Sequence, residues 1–452
     1  MSLFFVLVIA ISLLTKEAIR KVTPVAGVGL SLIIFVPIID WLVGNGYSIT
    51  YPLRLKPFLV HFLNPTKSLT DIGVSSGQRI IIVIIVLLIS LYAYLKRKKV
   101  IIAFSLLIIS FALILLFGAL PTLIALDKPE TIYLTGGILF FDQQKFSAIF
   151  ALIFLFSFFV YYYRSDKANF RSVIWSFRYE RMAFYSGLGL FGFILGMHQQ
   201  SALGGLTPKA NLFNIIGIIL LLLSLAIGFQ SAQVINDFFD IEADRLTRKR
   251  NPLVQGLNRN YYLIWGLCLI FLSLTFALII NYSCFLLMIT YLLLSVIYSV
   301  PPVRLKRIPI VSTFILAVAA ILAMAMGYSL TYGNYALNAI PKTILIPTIL
   351  GITFGFIAKD IQDAKSDRSI GVITIPNLLY KDSIVGRSPI AILIGVSFLC
   401  YIIFIPKVLI GAIICSVLTI IYTIFSRRPK EWFYFIMLYS FGIYLLTILL
   451  KD

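Results

Sequence analysis

The chain has 452 residues, of which 60% are hydrophobic, and a mean hydropathy of +1.00; this excludes a soluble domain. Its apolar runs are continuous rather than alternating, which excludes a transmembrane β-barrel. The net charge of +20 comes mostly from Lys and Arg in short loops between apolar runs, so it reads as positive-inside topology and not as nucleic-acid binding.

The first apolar run, Leu3–Leu14, is short and has no basic stretch before it. It predicts a short span or an interfacial helix, not a cleaved signal. Further runs follow near 24–44, 79–95, 100–126 and 146–163. A polar, basic break at Arg164–Arg181 predicts a domain boundary. Nine more runs lie near 182–198, 211–238, 261–281, 283–300, 309–330, 342–359, 388–404, 407–425 and 432–450. Most approach or exceed the roughly 20 residues that a helix needs to cross a bilayer. The chain is thus expected to be an all-α polytopic membrane protein. Its expected regions are an N-terminal transmembrane part over 1–170 and a second part over 171–452.

Placing Lys96-Arg97-Lys98-Lys99 in the cytoplasm puts the basic loops at Lys16–Lys21, Arg164–Arg181, Arg245–Arg259, Arg304–Arg307, Lys359–Arg387 and Arg427–Lys430 on the same side. The long loop at 45–78, with Arg54, Lys56 and Lys67, is the exception. Cys268, Cys284, Cys400 and Cys415 all fall inside apolar runs and form no CxxC pair, so neither a disulfide frame nor a zinc site is expected. His61 and His198 are isolated and carry no assigned role.

Seven of the eighteen acidic residues form two clusters. The first is Asn236-Asp237-Phe-Phe-Asp240-Ile-Glu242-Ala-Asp244; the second is Asp360-Ile-Gln-Asp363-Ala-Lys-Ser-Asp367. Each ends a long apolar run, where carboxylates are costly without a partner. Asn236, Asp240 and Asp244 step by four residues and would share one helix face. Asp363 and Asp367 repeat the step. One such cluster reads equally as helix-end charges reaching water. Two with the same step favour divalent cations, and an oxygen-only donor set without His or Cys favours Mg²⁺. Both clusters emerge on the cytoplasmic side in the threading above. Cations lie nearby: Arg245, Arg248, Lys249 and Arg250 after the first cluster, Lys359 before the second, and Arg304, Lys306 and Arg307 in the loop Tyr298–Arg307. Of these Lys306 is the favoured phosphate ligand, because Pro301-Pro302 shapes its loop.

These residues resemble the UbiA superfamily of intramembrane prenyltransferases. Asn236, Asp240 and Asp244 match its NxxxDxxxD motif, and Asp363 and Asp367 its DxxxD motif. Gly371-Val-Ile-Thr374-Ile-Pro376 is similar to its Gly-x-x-Thr-Leu-Pro tail, and Tyr298–Arg307 to its Tyr-Ser-x-Pro-Pro-x-Arg-x-Lys stretch. After the first motif the family often shows Arg-Pro-Leu, where this chain has Asn251-Pro252-Leu253. The resemblance covers the nine later runs and leaves the first 165 or so residues without a counterpart.

It implies a nine-helix bundle preceded by four or five extra transmembrane helices, and Mg²⁺-dependent transfer of a prenyl group from an isoprenoid diphosphate to a lipophilic acceptor such as a quinone precursor or a glycerol phosphate ether. It further implies one Mg²⁺ on Asn236, Asp240 and Asp244 and a second on Asp363 and Asp367. Asp240, Asp363 and Lys306 would carry the chemistry, with Arg248, Lys306, Arg307 and Asp360 about the diphosphate. The reading set against it is a cation-coupled transporter with an acidic site, whose carboxylates would be expected near the midplane rather than at helix ends.

Overall fold

A computed structural model describes residues 1–42, 54–63, 74–125, 137–139, 141–204, 211–247, 251–361, 373–379, 384–426 and 429–451. Among them there is no β-strand, and twelve helices are long and apolar enough to cross a membrane. The protein is an integral multi-pass membrane protein. The chain divides into two compact units, one comprising Met1–Gly136 and Phe140–Arg171, the other Gly137–Leu139 and Ser172–Asp452.

In the first unit, α1 (Ser2–Thr15) is the short apolar helix. At about 1.5 Å per residue it reaches roughly 21 Å, less than a bilayer's hydrocarbon thickness. The second apolar run begins earlier than its hydropathy suggests, as α2 (Ile19–Ser31), and passes through a 3₁₀ turn into α3 (Val36–Leu42). Within the loop that breaks the charge pattern lies α4 (Leu55–Leu63). Then come α5 (Ser76–Arg97), α6 (Val100–Ala125) and α7 (Asp142–Ser165). A reciprocal cap starts α5: Ser75 Oγ accepts from the Gln78 N–H, and Gln78 Oε1 from the Ser75 N–H. That satisfies two of the donors every helix start leaves open.

A short helix, α8 (Lys167–Trp175), leads into nine long helices among the described residues of the second unit. These are α9 (Tyr179–Ala202), α10 (Leu212–Phe239), α12 (Arg259–Ile280), α13 (Tyr282–Ser299), α14 (Val311–Tyr332), α16 (Lys342–Gly355), α18 (Ile384–Phe404), α19 (Leu409–Phe425) and α20 (Glu431–Leu449). Short helices α11 (Ile241–Thr247), α15 (Ala336–Ala339) and α17 (Ile375–Leu379) lie between them. Asparagines punctuate this region. Asn211, Asn258 and Asn281 each accept a backbone N–H at a helix start. At Asn281 α12 turns directly into α13, because the Asn side chain serves the new helix while its own N–H closes the old one.

The most extensive packing joins α9 to α14. A side chain on Gly327 would come within 2.6 Å of the Phe193 backbone nitrogen. Small residues permit this approach, the usual route to tight helix association where no hydrophobic force drives it.

One local expectation is corrected. Asn236, Asp240 and Asp244 do not lie on one uninterrupted helix. The long helix α10 ends at Phe239, Asp240 is the joint, and Asp244 belongs to α11. The Asp244 N–H still reaches the Asp240 carbonyl at 2.8 Å, so the bend is small and all three side chains line one cleft.

Candidate active site

The cleft opens in the second unit, at the end of α10. Asn236, Asp240 and Asp244 line one wall. The loop before α14 brings cations across to it. Lys306 Nζ donates to Asn236 Oδ1 at 3.1 Å and also to Asp240 Oδ1. Arg304 Nη2 lies 2.8 Å from Asp240 Oδ1 and 3.0 Å from the Phe239 carbonyl. Arg304 therefore both pairs the carboxylate and covers an open carbonyl at the end of α10. Its backbone is left-handed, with φ of 40°, a conformation that costs a non-glycine residue of order 1 kcal/mol or more. Burial disfavours the Asp240 carboxylate, but Lys306 and Arg304 outweigh it and hold the group below the usual carboxylate range. Burial pulls the Lys306 ammonium down to about 8, with Asp240 opposing the shift and Arg304 and Lys359 adding to it.

Asp237, the neighbour of Asn236, faces the other way and is 1% exposed. Its carboxylate accepts from Tyr262 Oη at 2.8 Å and from Gln233 Nε2, with Arg178 Nη2 at 3.9 Å. It anchors α10 against α12 behind the cleft.

On the far wall, α16 runs into a 3₁₀ turn, Phe356–Asp360, which carries the start of the second cluster. Lys359 Nζ donates to Tyr298 Oη at 2.7 Å and lies 3.7 Å from Asp360 Oδ1. Beside them Arg181 pairs with Glu431 at 2.7 Å. Below these polar groups the lining turns apolar and aromatic. Tyr185 stacks on Phe229 at 5.3 Å and meets Tyr291 edge-on at 5.5 Å, and Phe356, Ile315 and Leu316 complete the wall.

Of the residues singled out by sequence, Asn236, Asp240, Asp244, Lys306 and Asp360 line this cleft together. Arg307 is exposed and does not line it. Asp363, Asp367 and Arg248 lie outside the described residues. Arg178, Arg181, Arg304, Lys359 and Tyr298 also line it. Arg178 and Arg181 sit in a stretch that reads locally as a basic boundary, and no short-range pattern ties it to an acidic cluster some 60 residues later.

The first cluster offers oxygen donors alone, a set that suits Mg²⁺. Among the described residues no three His, Cys, Asp or Glu side chains gather to hold an ion by themselves. A metal held by Asp240 and Asp244 would therefore draw also on the Asn236 amide oxygen and on substrate phosphate.

A sequence model of the UbiA prenyltransferase family matches residues 201–442. The digeranylgeranylglyceryl phosphate synthase of Pyrococcus horikoshii is 26% identical over 182 residues, covering 40% of this chain and 62% of that protein. The synthase of the same name from Thermococcus gammatolerans is 30% identical over 165 residues, covering 36% and 56%. The matches thus span somewhat over half of these relatives' own length. Among solved structures, a UbiA homolog from Archaeoglobus fulgidus bound to GPP and Mg²⁺ is 19% identical, with a TM-score of 0.41 over 60% of this chain and 100% of that one.

Proposed function

This chain belongs to the UbiA prenyltransferase family, and from that premise we propose that it transfers a prenyl group, with Mg²⁺, from an isoprenoid diphosphate to a lipid acceptor bearing a glycerol phosphate ether. The observation that carries this reading is one cleft where Asn236, Asp240 and Asp244 meet Arg304, Lys306 and Lys359 above an aromatic and apolar floor. The acceptor class is taken from the names of the relatives. Of the cations that line the cleft, Arg178 lies beside Asp237 and Arg181 pairs with Glu431, which leaves Arg304, Lys306 and Lys359 to meet phosphate oxygens.

In the reaction the allylic C–O bond breaks with its electron pair leaving on the diphosphate. A bond then forms from the acceptor hydroxyl oxygen to the allylic carbon, and the hydroxyl proton passes to the departing diphosphate or to water. Mg²⁺ held by Asn236, Asp240 and Asp244, and a second ion held by Asp363 and Asp367, would neutralise charge on the departing diphosphate. Lys306 and Arg304, which grip Asp240 in this structure, are placed to turn to the diphosphate oxygens. Asp360 holds Lys359 in the far wall. Tyr185, Phe229 and Tyr291 keep water from the electron-poor prenyl carbon.

In this reading the cleft faces the cytoplasm, which the excess of Lys and Arg in the loops on that side supports. Residues 171–452 hold all these groups, and 1–170 form an accessory transmembrane region. Purified protein given a labelled prenyl diphosphate, Mg²⁺ and a panel of acceptors should release diphosphate and favour the glycerol phosphate ether over quinone-ring precursors. Turnover that persists unchanged in EDTA would sink the metal assignment.

A further inference from the structure

Asn251 is 1% exposed, although it lies in the polar loop between α11 and α12. All of its amide is in use. Its Oδ1 accepts the Leu253 N–H at 3.0 Å. An N–H can be accepted only by oxygen, so Nδ2 must face the other way. There it donates to the Asp237 carbonyl at 2.9 Å and to Asp244 Oδ2 at 2.9 Å. One amide thus joins the end of α10 to the carboxylate of α11 across the bend at Asp240. It also heads a folded turn: the Val254 N–H reaches the Asn251 carbonyl at 3.1 Å, and the Leu257 N–H reaches Pro252's at 3.0 Å.

We propose that Asn251 is a positioning residue that fixes the Asp244 carboxylate toward the cleft for cation binding. The inference rests on the function proposed above. The bend makes such a residue necessary. On a continuous helix, Asp244 would be aimed by its register with Asn236 alone. With α10 ending at Phe239, its aim depends on what fastens α11 to α10. The backbone bond from Asp244 to Asp240 sets the rise, and the Asn251 amide sets the rotation of the carboxylate. The neutral donor matters as well. It orients one oxygen of Asp244 and adds no positive charge of its own. The loop is thereby part of the site, though Asn251 itself is not among the residues lining the cleft.

The test uses the full chain in detergent and reads the Mg²⁺ concentration needed for binding of a prenyl diphosphate, with thermal unfolding in metal-free buffer as the control. Asn251→Ala should raise the Mg²⁺ requirement about 10- to 100-fold, the usual effect of removing an outer-shell partner. It should add little in an Asp244→Ala background, because the two act through one carboxylate. The exchange Asn251→Asp with Asp244→Asn restores the hydrogen bond between the two side chains with the charge on the wrong residue, and loses the donor to the Asp237 carbonyl. It should recover part of the thermal stability lost in Asn251→Ala and none of the Mg²⁺ requirement. Recovery of both by the exchange, an unchanged requirement in Asn251→Ala, or an equal effect with and without Asp244 would overturn the inference. Donor binding by the wild type that ignores Mg²⁺ would overturn the family-based reading together with it, and is distinguishable because it appears before any substitution.

Discussion

Asp240→Asn tests the electrostatics of the cleft directly. In the donor-free protein this carboxylate pairs two cations, and all three side chains are largely removed from water: 14% exposed for Asp240, 13% for Arg304 and 12% for Lys306. Neutralising Asp240 leaves Arg304 and Lys306 facing each other without an anion. Breaking a buried pair by removing one partner costs about 3–5 kcal/mol. The amide oxygen of Asn still accepts a hydrogen bond, so the low end, about 3 kcal/mol, is expected. The unfolding temperature of the donor-free variant should therefore fall. Inorganic diphosphate without Mg²⁺ should restore it, because the two cations then have an anion to hold. Turnover should not return. Asp240 would hold the ion that neutralises the leaving group, and weakening that stabilisation should cost about 10²–10³-fold in rate. Thermal unfolding in detergent, with and without diphosphate, and diphosphate release measure the two effects separately. An unfolding temperature unmoved by the substitution, or turnover near that of the wild type, would refute the reasoning.

Lys306→Ala should weaken donor binding about 10- to 100-fold, one charge-assisted hydrogen bond of roughly 1.5–3 kcal/mol, with Arg304 still holding Asp240; an unchanged Kd for the donor would remove Lys306 from the site. Tyr262→Phe takes the 2.8 Å donor from the buried Asp237 carboxylate and should cost about 1.5–3 kcal/mol of stability without changing the Mg²⁺ requirement, measured by thermal unfolding beside a metal titration; a change in the requirement alone would place Asp237 in the site. A chain beginning near residue 172, where the second unit resumes after Arg171, should insert and bind donor in nanodiscs. If it folds and fails to bind, the first unit helps to build the chamber.

What could be read without the structure follows from the range of the physics involved. A run such as 211–238 must become a helix in a membrane whatever surrounds it, because its backbone groups have no other partners in hydrocarbon. Hence the all-α class and the nine later helices were legible from hydropathy alone. The first cluster was legible because a four-residue step of costly carboxylates is a local pattern. The bend at Asp240 was not, since it depends on Arg304 arriving from a loop 64 residues away to cover the Phe239 carbonyl. Arg178 and Arg181 looked like topology signals, and only the packing of α9 beside α10 and α14 brings them into the lining of the cleft. The same holds for Asn251. Its neighbours in sequence say turn, and its burial against Asp237 and Asp244 exists only once the loop after α11 has come back to the end of α10. Composition and periodicity determine which segments are helices and which chemistry their ends can carry. Which cation meets which carboxylate is decided by contacts between distant segments, and no local pattern encodes those.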